Sequence, residues 1–285
     1  MKKALIFAVL CLLLMPAGLT GCGQRPQEAE TENRRLYTTV VEYSGEDEST
    51  EKYLEIAGRS QKLLPLLEEH LGAFVMNAYN FQDVDGDGTP LYTLNGMDYP
   101  EEIDPNGRTV EISPGYLKAN PIEAANGQPI EDQLVLDSLT LNLLVPEKFR
   151  DQESDIIKAH RARFYFQKVT AENTYNRDAG FKDRLDLSEN DLAVNIIYVK
   201  DGQSYFTFRE DCAADTDHRI IDPIAQVYTG NTHCNYAHSN LSQWTYFYWD
   251  GSAAQAFEAM KPYVEQCGAE ESFQKVTPAE LLPED

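Results

Sequence analysis

The chain has 285 residues, of which 42% are hydrophobic, 11% aromatic and 25% charged, a balance that fits a folded globular protein and is too apolar for a disordered one. Twenty-four Lys and Arg face 47 Asp and Glu, giving a formal charge of −23. A surface this acidic lacks the positive patch through which proteins displace counterions from nucleic acid, so nucleic-acid binding is excluded.

Lys2 and Lys3 form a basic start, and Ala4 to Met15 is an apolar run of 12 residues. A membrane span needs about 20 residues, so the run reads as the core of a secretory signal. Leu19-Thr20-Gly21-Cys22 follows, with small residues before a cysteine. That is a bacterial lipobox, so residues 1–21 are expected to be a lipoprotein signal peptide and Cys22 the lipidated residue. Loss of Lys2 and Lys3 would take the charge from −23 to −25. Two or more acyl chains hold a protein stably at a bilayer, and no later run is apolar enough to span one. The expected location is therefore extracytoplasmic, tethered to the outer leaflet of the cell membrane. Residues 22–35 are polar and without periodicity, as in a flexible tether.

Leu36 to Tyr43 is rich in β-branched and aromatic residues and predicts a first strand. Ser49 or Thr50 caps a helix bearing Tyr53, Ile56, Leu63, Leu64, Leu67 and Leu71; Pro65 should kink or divide it, and Gly72 ends it. Ala73 to Phe81 predicts the next strand, which makes a β-α-β opening. Residues 82–107 are rich in Asp, Gly, Pro and Asn and read as irregular. Thr109 to Ile112 and Leu139 to Val145 are further strands. Pro146 then starts a helix with Phe149, Ile156, His160 and Phe164 on one side.

Ala193 to Val199 and Gln203 to Phe208 flank Lys200-Asp201-Gly202. Asp-Gly between two such runs predicts a hairpin, through a turn with positive φ at both central residues. Ile220 to Tyr228 and Gln243 to Trp249 are two more strands. On the second, Trp244, Tyr246 and Tyr248 alternate with Phe247 and Trp249, and burial of both faces is expected. Ser252 and Gln255 form a capping box for a helix that stops at Gly268. The expected class is α+β: a mixed or antiparallel sheet, a β-α-β opening and packed helices. Residues 36–285 form the extracytoplasmic domain, with two lobes meeting near 110–140 as one option.

Asp83, Asp85, Asp87 and Gly88 match the first half of a calcium loop, but Pro90 and Leu94 stand where an aliphatic residue and the bidentate Glu belong. A metal-free Asp/Gly turn is the expectation, and Ca²⁺ is the one cofactor left open. His218, His233, Cys234 and His238, with Cys212, contain the atoms for a zinc site without its paired spacing. Once Cys11 leaves and Cys22 is lipidated, three thiols remain, so at most one bridge forms. Cys212 and Cys234, in polar surroundings, are the candidate disulfide; Cys267 lies on an apolar helical stripe, where a buried, inert thiol is expected. Ser49-x-x-Lys52 and Ser188-Glu189-Asn190 resemble elements of penicillin-binding enzymes, but the Lys-Thr-Gly element is missing. No residue is singled out as catalytic.

Four ordered blocks carry a resemblance. They are Ser113 to Ile122 (SPGYLKANPI), Leu143 to Phe149 (LLVPEKF), Ile197 to Phe208 (IYVKDGQSYFTF) and Ile221 to Ile224 (IDPI). Residues 36–275 thereby resemble the extracytoplasmic domain of bacteriocin-associated integral membrane proteins, relatives of ABC-type permeases in Gram-positive bacteria. That family continues into membrane spans, whereas this chain is expected to present the outer domain alone on a lipid anchor. The resemblance implies a non-enzymatic accessory or docking role beside a transporter. The alternative carried by the residues is an envelope hydrolase or metal-dependent enzyme using the His218–His238 region.

Overall fold

A computed structural model describes residues 34–82 and 97–281. Cys22 and the Asp83–Gly88 loop, with Asp83, Asp85 and Asp87, lie outside the described residues. The fold class is α+β, built on a mixed eight-stranded sheet.

Strand β1 (Arg34–Thr39) begins two residues earlier than expected, so Arg34 and Arg35 belong to the sheet and not to the tether. They pair with Asp250 and Trp249, and the Arg34 guanidinium lies 5.1 Å over the Tyr248 ring. Helix α1 (Thr50–Leu71) is capped by Ser49, whose side chain accepts from the Lys52 amide, and ends at Gly72 with φ +64. Pro65 does not divide it. The proline is exposed, and buried Leu63, Leu64 and Leu67 hold both halves to one core.

Strand β2 (Phe74–Asn77) is shorter than the run Ala73–Phe81. The Asn77 side chain accepts from the Tyr79 amide at 3.1 Å and turns the chain into a short 3-10 turn. Strands β3 (Thr109–Ile112) and β4 (Thr140–Pro146) follow, separated by the one-turn helix α2 (Tyr116–Ala119). After β4 a 3-10 stretch leads into helix α3 (Glu153–Tyr165). Phe149, Ile156, His160 and Phe164 are all buried, as their spacing predicts. A π turn at Phe166–Thr170 carries the helix on into α4 (Ala171–Asp178).

Strand β5 (Ala193–Val199) pairs in parallel with β4, and β6 (Ser204–Phe206) pairs with β7 (Arg219–Ile221) in a separate two-stranded sheet. The expected Asp-Gly hairpin between β5 and β6 does not form. Only Gly202 takes positive φ, +80, and residues 123–125 bind the β5 edge through Ala125 N–H to Tyr198 C=O and Lys200 N–H to Glu123 C=O. Ile220 to Tyr228 is likewise two strands: Asp222 at φ +54 separates β7 from β8 (Ile224–Val227).

Helix α5 (Cys234–Gln243), which sequence periodicity missed, precedes β9 (Thr245–Asp250). Helix α6 (Ala253–Cys267) opens with the Ser252–Gln255 capping box and closes at Gly268 with φ +66. A last short strand, β10 (Val276–Pro278), completes the sheet.

The strand order is β10-β1-β9-β2-β3-β8-β4-β5. The β-α-β opening is split, because β9 lies antiparallel between β1 and β2. Reciprocally, β1 lies between β9 and β10, which α6 connects. Two interleaved split β-α-β units make the ferredoxin-like pattern. Residues 78–244, inserted between β2 and β9, widen it by four strands. The lobe boundary near 110–140 is not realised: β3 and β4 both pair with β8, and residues from Arg34 onward form one compact unit. Alternation puts Phe247 against Tyr37 and Tyr246 against Phe74 and Phe208 across the sheet, so both faces of β9 are covered.

Candidate functional site

Glu111 sits between Val110 and Ile112 on β3, and those neighbours are 1% and 0% exposed. A strand sends alternate side chains to opposite faces, so Glu111 is turned away from theirs. Its register partners are Asn77 on β2 and Gln226 on β8. The three side chains therefore form one row across adjacent strands. Two helical elements close over it. Asn240 of α5 accepts from Asn77 Nδ2 at 3.1 Å and donates to Glu111 Oε1 at 2.7 Å. Gln167 of the π turn accepts from Gln226 Nε2 at 2.8 Å, and that nitrogen also lies 3.4 Å from Glu111 Oε2.

The π turn is what aims Gln167. Its backbone carbonyl accepts from the His233 amide at 3.1 Å, and Lys168 donates to the Asn231 carbonyl at 2.9 Å. π turns recur at functional sites because the extra residue re-aims side chains and frees a carbonyl. The row borders a cavity of about 250 Å³, also lined by Arg163, Tyr79, Tyr236 and Trp244. Gln167, Gln226 and Asn240 are buried, while Glu111 and Arg163 keep partial access through the cavity. Burial raises the Glu111 carboxyl above the usual range, with the Asn240 amide and the Arg163 charge pulling the other way. Among the described residues Arg163 has no carboxylate within 4.0 Å. Of these residues the sequence singled out Trp244 alone, as part of an aromatic strand, and none of the polar ones. Their one signal was a charged residue alternating inside a short apolar strand, and carboxylates are too many in this chain for that to stand out.

Comparison with family models, curated proteins and solved structures finds no match.

The histidines and cysteines singled out by sequence are divided between environments. His218 Nδ1 is 3.1 Å from the Cys212 carbonyl. His238 Nδ1 is 2.9 Å from Ser60 Oγ of α1, and its ring meets Tyr53 edge-on. His233 stacks on Tyr175 at 4.9 Å and lies 3.7 Å from Glu172. Among the described residues no three His, Cys, Asp or Glu are placed to hold a metal ion. Cys212 and Cys234, the candidate disulfide, are separate free thiols. Cys212 is fully buried beside the Ala78 carbonyl, at the end of β2. Cys234 opens α5, its sulfur 3.7 Å from His233 Nε2. Each has its own neighbours: Cys212 lies in the turn-rich segment between β6 and β7, as expected, but is buried there, whereas Cys234 is the first residue of a helix and not part of a loop. Burial pushes the Cys234 thiol up to about 11, the reverse of what a nucleophilic cysteine requires. Cys267 is half-buried against the core, and burial raises its thiol too. The two serine elements are caps: Ser49 for α1, and Ser188 in a capping box with Asp191.

The four resemblance blocks meet at one corner. Asp201 accepts from the Lys148 amide at 3.0 Å, and Lys148 Nζ donates to Asp222 at 2.9 Å. Asp222 also accepts from the Gln203 amide, while Asn120 bonds the Ser204 carbonyl and the Phe206 amide. Burial works to raise the Asp222 carboxyl, but Lys148 and the amides of Gly202 and Gln203 outweigh it and hold it below the usual range.

Proposed function

We propose that this chain is a lipid-anchored extracytoplasmic protein that works by binding, as an accessory or docking component of an ABC-type or bacteriocin-associated envelope system. The observation that carries the reading is the Glu111 pocket. Five elements contribute side chains whose mutual hydrogen bonds fix their positions before any ligand arrives, and preorganisation of that kind is what a recognition site needs. The envelope assignment is supported by the lipobox and by the four blocks, which lie far apart in sequence yet interlock through Lys148, Asp201 and Asp222.

Affinity purification of the lipidated protein from its own membranes in mild detergent tests the assignment. A membrane-spanning permease subunit is expected in near-stoichiometric yield; its absence refutes the transporter role, and stoichiometric zinc with hydrolytic activity would favour an enzyme. The anchor has its own test. Lipidation needs the Cys22 thiol, and no described helix is long and apolar enough to cross a membrane. Cys22→Ala should therefore yield soluble or uncleaved protein. A processed alanine variant still in the membrane fraction would refute the anchor.

A further inference from the structure

The pocket holds a carboxyl group and a guanidinium that do not pair with each other. Glu111 feels the Arg163 charge, yet no nitrogen of Arg163 comes within 4.0 Å of a carboxylate among the described residues. Each Glu111 oxygen has one amide neighbour, from Asn240 or Gln226, and a carboxylate oxygen can accept a further donor. Arg163 presents a fork of donors suited to a planar carboxylate. Around the charges stand amides of both polarities and the rings of Tyr79, Tyr236 and Trp244. At about 250 Å³ the cavity lies just below the usual range for small-molecule sites and is too small to enclose a dinucleotide or an oligosaccharide.

We propose that this pocket binds a small zwitterion of the α-amino-acid class, its ammonium at Glu111 and its carboxylate at Arg163. A sugar would use the amides and rings but would leave the guanidinium without a counter-charge. A simple amine or a simple acid would satisfy one pole and leave the other uncompensated. The zwitterion satisfies both, with its side chain against the aromatic wall. The inference rests on the binding reading above and goes further by naming the ligand class.

Trp244 lines the cavity and is one of two tryptophans in the chain, so its fluorescence reports occupancy. The experiment titrates the full-length protein in mild detergent with the free L-amino acids, with amine and carboxylic-acid analogues lacking one charged group, and with monosaccharides. At least one amino acid should shift the fluorescence saturably, while its single-charge analogues bind at least about tenfold more weakly, the loss of one charge-assisted contact. Glu111→Gln and Arg163→Gln should each weaken that amino acid by a similar factor, with unchanged melting temperature as the check on folding. Saturable binding of a monosaccharide alone refutes the zwitterion and leaves the binding reading standing. No binding by any probe refutes both the ligand class and the pocket as a small-molecule site, whereas the transporter contact is judged separately by co-purification. Amino-acid binding that survives both substitutions places the ligand elsewhere and also overturns the proposal.

Discussion

Phe74→Ala is expected to cost about 3–5 kcal/mol, the range for deleting a fully buried aromatic ring. Phe74 is 1% exposed, and its ring meets Tyr116 at 6.0 Å, Phe208 at 5.2 Å and Tyr246 at 5.8 Å. It is where the ferredoxin-like strands and the insertion share one core: Tyr246 lies on β9, whereas Tyr116 and Phe208 belong to the inserted residues. The ring's volume cannot be recovered by collapse, because strand β2 and the aromatic groups around it are each held by other contacts. Domains of this kind are stable by only about 5–15 kcal/mol, so the loss would be a large share of the total. Urea unfolding measures it as a lower midpoint. Phe74→Leu keeps most of the volume and should cost less than about half as much. A cost near zero for the alanine variant would mean that the insertion does not depend on this core.

The second large effect is a pH dependence centred on His160. Its side chain is fully buried on α3, Nε2 lies 3.2 Å from the Ile103 carbonyl, and Nδ1 has no hydrogen-bond partner among the described residues. Burial lowers its pKa from 6.5 to about 4, against the upward pull of the Ile103 carbonyl and Asp104. In the unfolded chain the same imidazole takes a proton near 6.5. Between pH 6.5 and about 4 the unfolded state therefore binds more protons, and stability falls as pH falls; below about 4 both states are charged and the loss stops growing. At about 1.4 kcal/mol per unit the loss reaches roughly 3 kcal/mol.

Glu68 acts in the opposite direction. Burial raises its carboxyl to about 7, against Ser113 and Lys118, so the native state keeps a proton that the unfolded chain gives up near 4.5. That contribution is present at low pH and is lost as pH rises from 4.5 to about 7. The two slopes offset each other in the wild type, and single variants separate them. His160→Leu should gain stability relative to wild type by roughly 3 kcal/mol on going from pH 7 to pH 4, and Glu68→Gln should show the reverse trend. Parallel stability curves for wild type and His160→Leu would show that the native histidine titrates normally, and the buried neutral state would be wrong.

Local chemistry accounts for the elements that were legible in advance. Ser49 and Gly72 bound α1, Ser252, Gln255 and Gly268 bound α6, and Ile156, His160 and Phe164 pack α3 inward behind Phe149 of the preceding 3-10 stretch. Caps and apolar periodicity need only neighbours a few residues away, so they survive translation from sequence to structure. The α+β class followed from the same signals. Failures came where a distant partner outbid a local preference. Asp201-Gly202 is a hairpin signal, yet residues 123–125 occupy the β5 edge and Asp222 holds Gln203, so β6 turns away to β7. Helix α5 has only Ala237 and Leu241 as buried apolar residues, its other buried side chains being His238 and Asn240, which leaves too faint a stripe to read.

Sequence alone determined the acidic composition, the α+β class and the caps of the long helices. Each depends on composition or on residues within one or two turns of one another. Tertiary structure alone decided that the β-α-β opening is split by β9, that Cys212 and Cys234 stay apart, and that Asn77, Glu111, Gln226, Asn240, Gln167 and Arg163 surround one cavity. Those six residues span 164 positions, from 77 to 240, and no periodicity links them. Register across β2, β3 and β8 aligns the first three, and α5, the π turn and the end of α3 bring the rest over them. Strand pairing and helix docking are set by the burial of the whole core, so the pocket exists only once the sheet has closed.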